Sequence, residues 1–175
     1  MPLAYGQLPT AVGAPATAGR IFLERCIVPL TGRLRDICIF IGSVANGNMM
    51  FGVYDVGDAA AGVVTKLWDS GVVANGSLNQ WRAFDPNLAV TSGQHIQLAF
   101  VCDSTNATFG RNTAGNSPNP WGSLPAGWLP TPNGVAAKPV GMWSSGVLDL
   151  PPTIADTNII NTGTAVVPFV MARVS

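Results

Sequence analysis

Gln94-His95-Ile96-Gln97-Leu98-Ala99-Phe100-Val101-Cys102 alternates more cleanly than any other stretch of the chain. In an extended strand Ile96, Leu98, Phe100 and Cys102 fall on one side, and His95, Gln97, Ala99 and Val101 on the other. A period of two marks a β-strand with one face in a core, so this run predicts a half-buried strand. Working outward from it, the same grammar recurs from Gly32 to Phe100. A short run of β-branched or aromatic residues is closed by a Gly, Asn or Asp turn and then restarted.

Arg20 to Val28 is a strand stopped by Pro29 and the turn at Thr31-Gly32. Arg33 to Ile41 follows, with Ile37, Ile39 and Ile41 on one face and Cys38 and Phe40 on the other, so its latter half is expected to be covered on both sides, as in a central or interface strand. Asn46-Gly47 predicts a type I′ hairpin leading into Met49 to Tyr54. Val63 to Trp68 ends at Asp69-Ser70-Gly71, and Asn75-Gly76 turns the chain again before Gln80 to Phe84. Thr105 to Arg111 is expected to pair beside the 94–102 strand, and Val140 to Ser145 and Ala165 to Val174 supply closing strands. About eight or nine strands without a helical segment define an all-β, antiparallel β-sandwich, most economically a jelly roll.

Residues 1–19 carry Pro2, Pro9 and Pro15 and lack the basic start and unbroken apolar run of a secretory signal. They are expected to form an extended N-terminal arm on one sandwich domain spanning 20–175. No window approaches the roughly 20 apolar residues of a membrane-spanning helix, so a soluble or assembled protein without membrane insertion is expected. Within the domain, residues 112–139 hold Pro118, Pro120, Pro125, Pro130, Pro132 and Pro139 and read as one long loop, either functional or packed against something.

Charged residues make up 10% of the chain and apolar ones 47%, so the polar surface is built mainly from Asn, Thr, Ser, Gln and Gly. Nine basic and nine acidic side chains cancel. Neutrality removes the field that gathers phosphates and the repulsion that keeps small monomers apart, which argues against nucleic-acid binding and for a subunit of a larger assembly. One His, one Glu, three Cys and two Lys leave little material for acids, bases or nucleophiles.

His95 occupies the polar side of an alternating strand, an ordinary surface or interface position. Neither a nucleophile–base–acid triad nor a pair of converging carboxylates is suggested. Asp55, Asp58, Asp69, Asp85, Asp103, Asp149 and Asp156 fall at turns, where backbone capping explains them, with Glu24 and Asp36 on strands. No catalytic residue, cofactor or metal is assigned, and a calcium ion at the Asp55, Asp58 loop is the weaker expectation. Cys26, Cys38 and Cys102 are odd in number and form no CxxC pair, so they read as buried free thiols in preference to a Cys26–Cys38 bridge.

Of Trp68, Trp81, Trp121, Trp128 and Trp143, Trp121 and Trp128 in the Pro-rich loop are the best candidates for glycan or partner contact. Sugar-binding sandwiches offer flat rings to pyranose faces, whereas the plainer role is to clamp the loop onto the sandwich or onto a neighbouring subunit. Asn75-Gly76-Ser77 and Asn106-Ala107-Thr108 match glycosylation sequons and are read as turn residues.

The order of Ile27-Val28-Pro29-Leu30-Thr31-Gly32, Asn46-Gly47-Asn48, Gly52-Val53-Tyr54-Asp55 and Trp68-Asp69-Ser70-Gly71 resembles a family of small jelly-roll domains in structural proteins of tailed bacteriophages. The likeness resumes at Leu88-Ala89-Val90-Thr91-Ser92-Gly93, Leu98-Ala99-Phe100, Ala107-Thr108-Phe109 and Leu124-Pro125, and ends at Val167-Pro168-Phe169-Val170. The resemblance implies a non-enzymatic virion component of the head surface, tail, fibre or baseplate. It implies a homo-oligomer, a trimer by analogy, with other virion proteins as partners. A stand-alone sandwich with a short tether further implies a decorating or cementing subunit. The alternative is a carbohydrate-binding module that recognises a host surface glycan.

Overall fold

The computed structural model describes residues 11–14, 17–57, 62–112, 140–144, 146–155, 160–161, 167–168 and 170–175. These form two antiparallel sheets packed face to face, with no helix among the described residues. One sheet has eight strands in the order β12 (Thr153–Ala155), β5 (Val63–Asp69), β4 (Asn48–Asp55), β9 (His95–Cys102), β2 (Arg20–Ile27), β11 (Val140–Ser144) and β13 (Ile160–Asn161). Its last strand, β6 (Val73–Ala74), lies beside the start of β4.

The seven-stranded sheet is organised on β3 (Gly32–Ile41). Along one side of it runs β15 (Val170–Val174), and β7 (Gln80–Phe84) and β8 (Leu88–Val90) share the other. β10 (Phe109–Asn112) meets β3 at the Phe109–Ile41 pair and also pairs with β1 (Ala11–Gly13) and β14 (Val167–Pro168). The all-β sandwich expected from the alternating runs is therefore observed.

Between the sheets the alternating residues meet as the pattern dictates. Phe22, Phe51 and Phe100 come from the eight-stranded sheet, and Phe84 and Phe109 from the seven-stranded one. Phe100 lies 4.7 Å from Phe109 and 5.4 Å from Phe51 between ring centroids, and Phe51 lies 5.0 Å from Phe84. Offset and edge-on contacts of this kind add to the burial of the rings themselves. Ile37, Ile39 and Ile41 close the core from β3 with no exposed surface.

Asp36 holds a positive φ of 50°, and the pairing with β15 slips there, Met171 facing Cys38 while Arg173 faces Arg35. One extra residue in β3 is a β-bulge, which lets Leu34 and Ile37 both point inward although three positions separate them.

A second apolar cluster covers the other side of the eight-stranded sheet. Ile21, Leu23, Met50, Tyr54, Ala99 and Val101 turn away from the inter-sheet core and pack with Val56, Val64, Leu150 and Ile154. Residues 146–155 form the strap over this face. Lys66 Nζ donates to the Leu150 carbonyl at 2.6 Å, Tyr54 Oη donates to the Pro151 carbonyl at 2.8 Å, and β12 pairs with β5. Gly52 lies beneath it, where a Cβ would stand 2.8 Å from Leu150 Cδ1 and force the leucine to shift.

Several expectations are corrected. The 94–102 strand is buried on both faces, since Gln97, Ala99 and Val101 are covered as well as Ile96, Leu98 and Phe100. Alternation reported only its chemistry, and the strap supplies the second cover. Asn46-Gly47 and Asn75-Gly76 are not hairpin turns: β3 and β4, and likewise β6 and β7, belong to different sheets. The segment expected to pair beside β9 crosses instead, and β10 joins the seven-stranded sheet. Within the arm, Ala11–Gly13 pairs with Arg111, Gly110 and Phe109, so this part of residues 1–19 belongs to the sandwich.

Candidate functional site

The outer face of the seven-stranded sheet is the more open of the two. Phe40 and Trp81 face each other across β3 and β7, their rings 5.7 Å apart and edge-on at 71°. The Trp81 side keeps 38% of its surface exposed, and the pair below it is Cys38 with exposed Ala83. Past the bulge, period-two placement turns Arg33, Arg35 and Arg173 to this same face, because Leu34 and Val174 point inward. Arg35 pairs with Asp85, Arg173 Nη2 lies 2.5 Å from Asp36 Oδ2, and Arg33 Nη1 donates to the Asn87 carbonyl at 2.8 Å.

Burial, aided by the Asp36 charge, pushes the Cys38 thiol up to about 11, so it stays protonated near neutrality. Ion pairs orient the Arg35 and Arg173 guanidinium groups, and the bond to the Asn87 carbonyl orients that of Arg33.

At one end of the sandwich three crossings are stitched together: residues 42–47 from β3 to β4, 75–79 from β6 to β7, and 103–108 from β9 to β10. Asn75 N donates to the Gly47 carbonyl at 3.0 Å, and Asn75 Nδ2 to the Asn46 carbonyl at 2.5 Å. Val44 N donates to Thr108 Oγ1 at 3.0 Å, and Thr108 N returns a bond to the Val44 carbonyl at 2.9 Å. The Asp103 carboxylate accepts from Asn48 N at 2.7 Å and Asn48 Nδ2 at 3.0 Å. Gly47, at φ 74°, has to be glycine because any side chain would run into that carboxylate. The end so formed exposes Ser43, Asn46, Ser77, Leu78, Asn79, Asp103, Thr105 and Asn106, amides and hydroxyls with one carboxylate and one leucine.

Trp121 and Trp128, the residues expected to touch a glycan or partner, lie outside the described residues, as does Asp58 of the expected calcium loop. No group of three His, Cys, Asp or Glu that could hold a metal forms among the described residues. Asp55 instead accepts from Gln94 Nε2 at 3.3 Å. Asp69 and Asp85 cap local backbone N–H groups two residues on, as their positions at turns suggested, whereas Asp103 reaches across to Asn48 at the start of β4. All three cysteines are free: Cys26 and Cys102 are buried in the inter-sheet core, and Cys38 lies on the outer face of the other sheet. Burial raises the Cys26 and Cys102 thiols as well. His95 is half-buried at the start of β9.

Trp81 is among the tryptophans weighed for contact, but its pairing with Phe40 and the arginines further along the same face were missed by sequence reasoning. Arg82 obscured the signal, since it takes an inward position, its guanidinium 5.5 Å from the Phe84 ring centroid, and gives β7 the look of a strand polar on its core side. Neither a protein-family model nor a curated protein matches the chain. The class defined by the fold is an antiparallel all-β sandwich.

Proposed function

We propose that this protein is a non-enzymatic structural subunit of a bacteriophage virion that decorates or cements the particle as a homo-oligomer, at the head surface or in the tail or fibre. The observation that carries this reading is the outer face of the seven-stranded sheet. An exposed indole, a half-buried phenyl ring and three guanidinium groups share one surface, and tryptophan and arginine dominate the binding energy of protein interfaces. The scarcity of charge elsewhere supports it, because such a surface loses little hydration when covered by neighbouring subunits. The phage assignment and jelly-roll connectivity rest on the sequence resemblance.

The test is a mass-spectrometric inventory of particles purified from the virus that encodes the chain, with the natural protein and with Trp81→Ala. The natural chain is expected in the particles, and the variant is expected to fold yet be lost from them. A natural chain absent from particles, or a variant retained in full, overturns the proposal.

The amide- and hydroxyl-rich end favours a second reading, a carbohydrate-binding host-recognition module, since neutral sugars are held by such groups. A glycan array with the natural chain and Trp128→Ala separates the two. Sugar binding lost on substitution with particle incorporation intact supports the module, and no glycan signal removes it.

A further inference from the structure

The sequence holds three Asn-Gly pairs, at 46–47, 75–76 and 133–134, of which the last lies outside the described residues. In this dipeptide the backbone nitrogen of glycine can reach the asparagine Cγ, because no Cβ stands in the way. By sequence the first two are equivalent, and the fold makes them opposites.

Asn75 is 1% exposed, with its amide held between the Asn46 carbonyl, 2.5 Å from Nδ2, and Cys102 Sγ at 3.5 Å. Its Cγ is shielded and its side chain has no freedom to swing toward Gly76. Asn46 is exposed, and neither its side chain nor the Gly47 N–H makes a hydrogen bond among the described residues.

The contact that locks Asn75 also activates its neighbour. When Gly47 N gives up its proton, the negative charge is shared with the Asn46 carbonyl oxygen, where the Asn75 amide donates. Asp103 beside Gly47 opposes this charge, but its two oxygens already accept from Asn48.

We propose that Asn46 is a deamidation site built into the folded chain and that Asn75 is its protected neighbour. Gly47 N passes its proton to solvent and forms a bond to Asn46 Cγ. The Cγ–Nδ2 bond breaks, and the amide nitrogen takes up a proton and leaves as ammonia. Water then opens the cyclic imide to aspartate or isoaspartate. The product adds a carboxylate to a crossing adjacent to Asp103. In its isoaspartate form it also lengthens the backbone between the two carbonyls that hold Asn75.

The test follows the full chain in mildly alkaline buffer, folded and in concentrated urea, by peptide mapping with mass spectrometry. An Asn46→Asp chain marks the aspartate product. In the folded chain Asn46 is expected to convert roughly a hundredfold faster than Asn75, which reacts only in the small fraction of molecules whose crossings have opened. In urea the two rates converge. Equal rates at both sites in the folded chain, or a folded Asn46 that stays intact while it converts in urea, overturns the proposal.

Discussion

On the eight-stranded sheet, Ile21, Leu23, Met50, Tyr54, Ala99 and Val101 face away from the inter-sheet core and are still buried, with residues 146–155 of the same chain lying over them. On the seven-stranded sheet the corresponding outer positions, Cys38, Phe40, Trp81 and Ala83, keep contact with solvent. Each apolar side chain left in water forgoes about 25 cal/mol per Å² of surface, so an apolar outer face calls for a cover. One face gets its cover from within the chain. The other offers an aromatic pair with oriented arginines further along the same face, and in the proposed function a second molecule supplies what the strap supplies elsewhere.

If that contrast is right, the strap is part of the core and Trp81 is not. Leu150 has no exposed surface and sits over Gly52, so Leu150→Ala removes buried methyl groups and leaves a cavity at a cost of about 2–5 kcal/mol. Trp81→Ala costs less in the isolated chain, about 1 kcal/mol, most of it the edge-on contact with Phe40. Denaturant midpoints of the two variants decide the matter. A Trp81 loss equal to the Leu150 loss would place the aromatic pair inside the fold's own core and remove the reason to seek a partner there.

Gly52→Ala sharpens the comparison from beneath. Its new methyl group would press on Leu150 at 2.8 Å, an overpacking worth about 1–3 kcal/mol, and adding Leu150→Ala should relieve part of it. Strict additivity in that double-mutant cycle would show that the strap does not bear on Gly52 in solution. Tyr54→Phe is a smaller change. The ring stays buried while the bond from its hydroxyl to the Pro151 carbonyl is lost, for about 1 kcal/mol in the same measurement.

These elements differ in how far the sequence announces them. β7 falls on the predicted Gln80–Phe84, β2 and β5 differ from their predicted runs by one residue at one end and β4 by one at each end, because each is a short apolar run bounded by turn residues. The Asn-Gly pairs announced sharp reversals and said nothing of destination. A positive-φ glycine serves a crossing between sheets as well as a hairpin, and only the bonds joining the crossings to one another distinguish the cases. The strap was illegible for a different reason. Its Leu148, Leu150 and Ile154 keep the even spacing of a strand, but Pro151-Pro152 interrupts the run, and the need for them arises from β2, β4 and β9, some fifty residues or more away in the chain. The arm's strand β1 is three residues long, too short for a periodic signal.

Acid provides the mildest probe of the strap. Lys66 donates to the Leu150 carbonyl and lies 2.8 Å from Asp69 Oδ2, so one ammonium ties the strap to β5 and to the turn that follows it. The hydrogen bond from Lys66, helped by the Gly71 N–H and the lysine charge and opposed by partial burial, holds the Asp69 carboxyl below its ordinary value. A carboxylate whose folded pKa is depressed adds stability that is fully present above its unfolded value, about 3.9, and is lost as pH falls through the lower folded one. Denaturant midpoints should therefore decline below about pH 4 by more in the natural chain than in Asp69→Asn, which has no such proton to take up. Parallel decline in both chains would show that the Lys66–Asp69 tie does not carry the acid sensitivity of the strap.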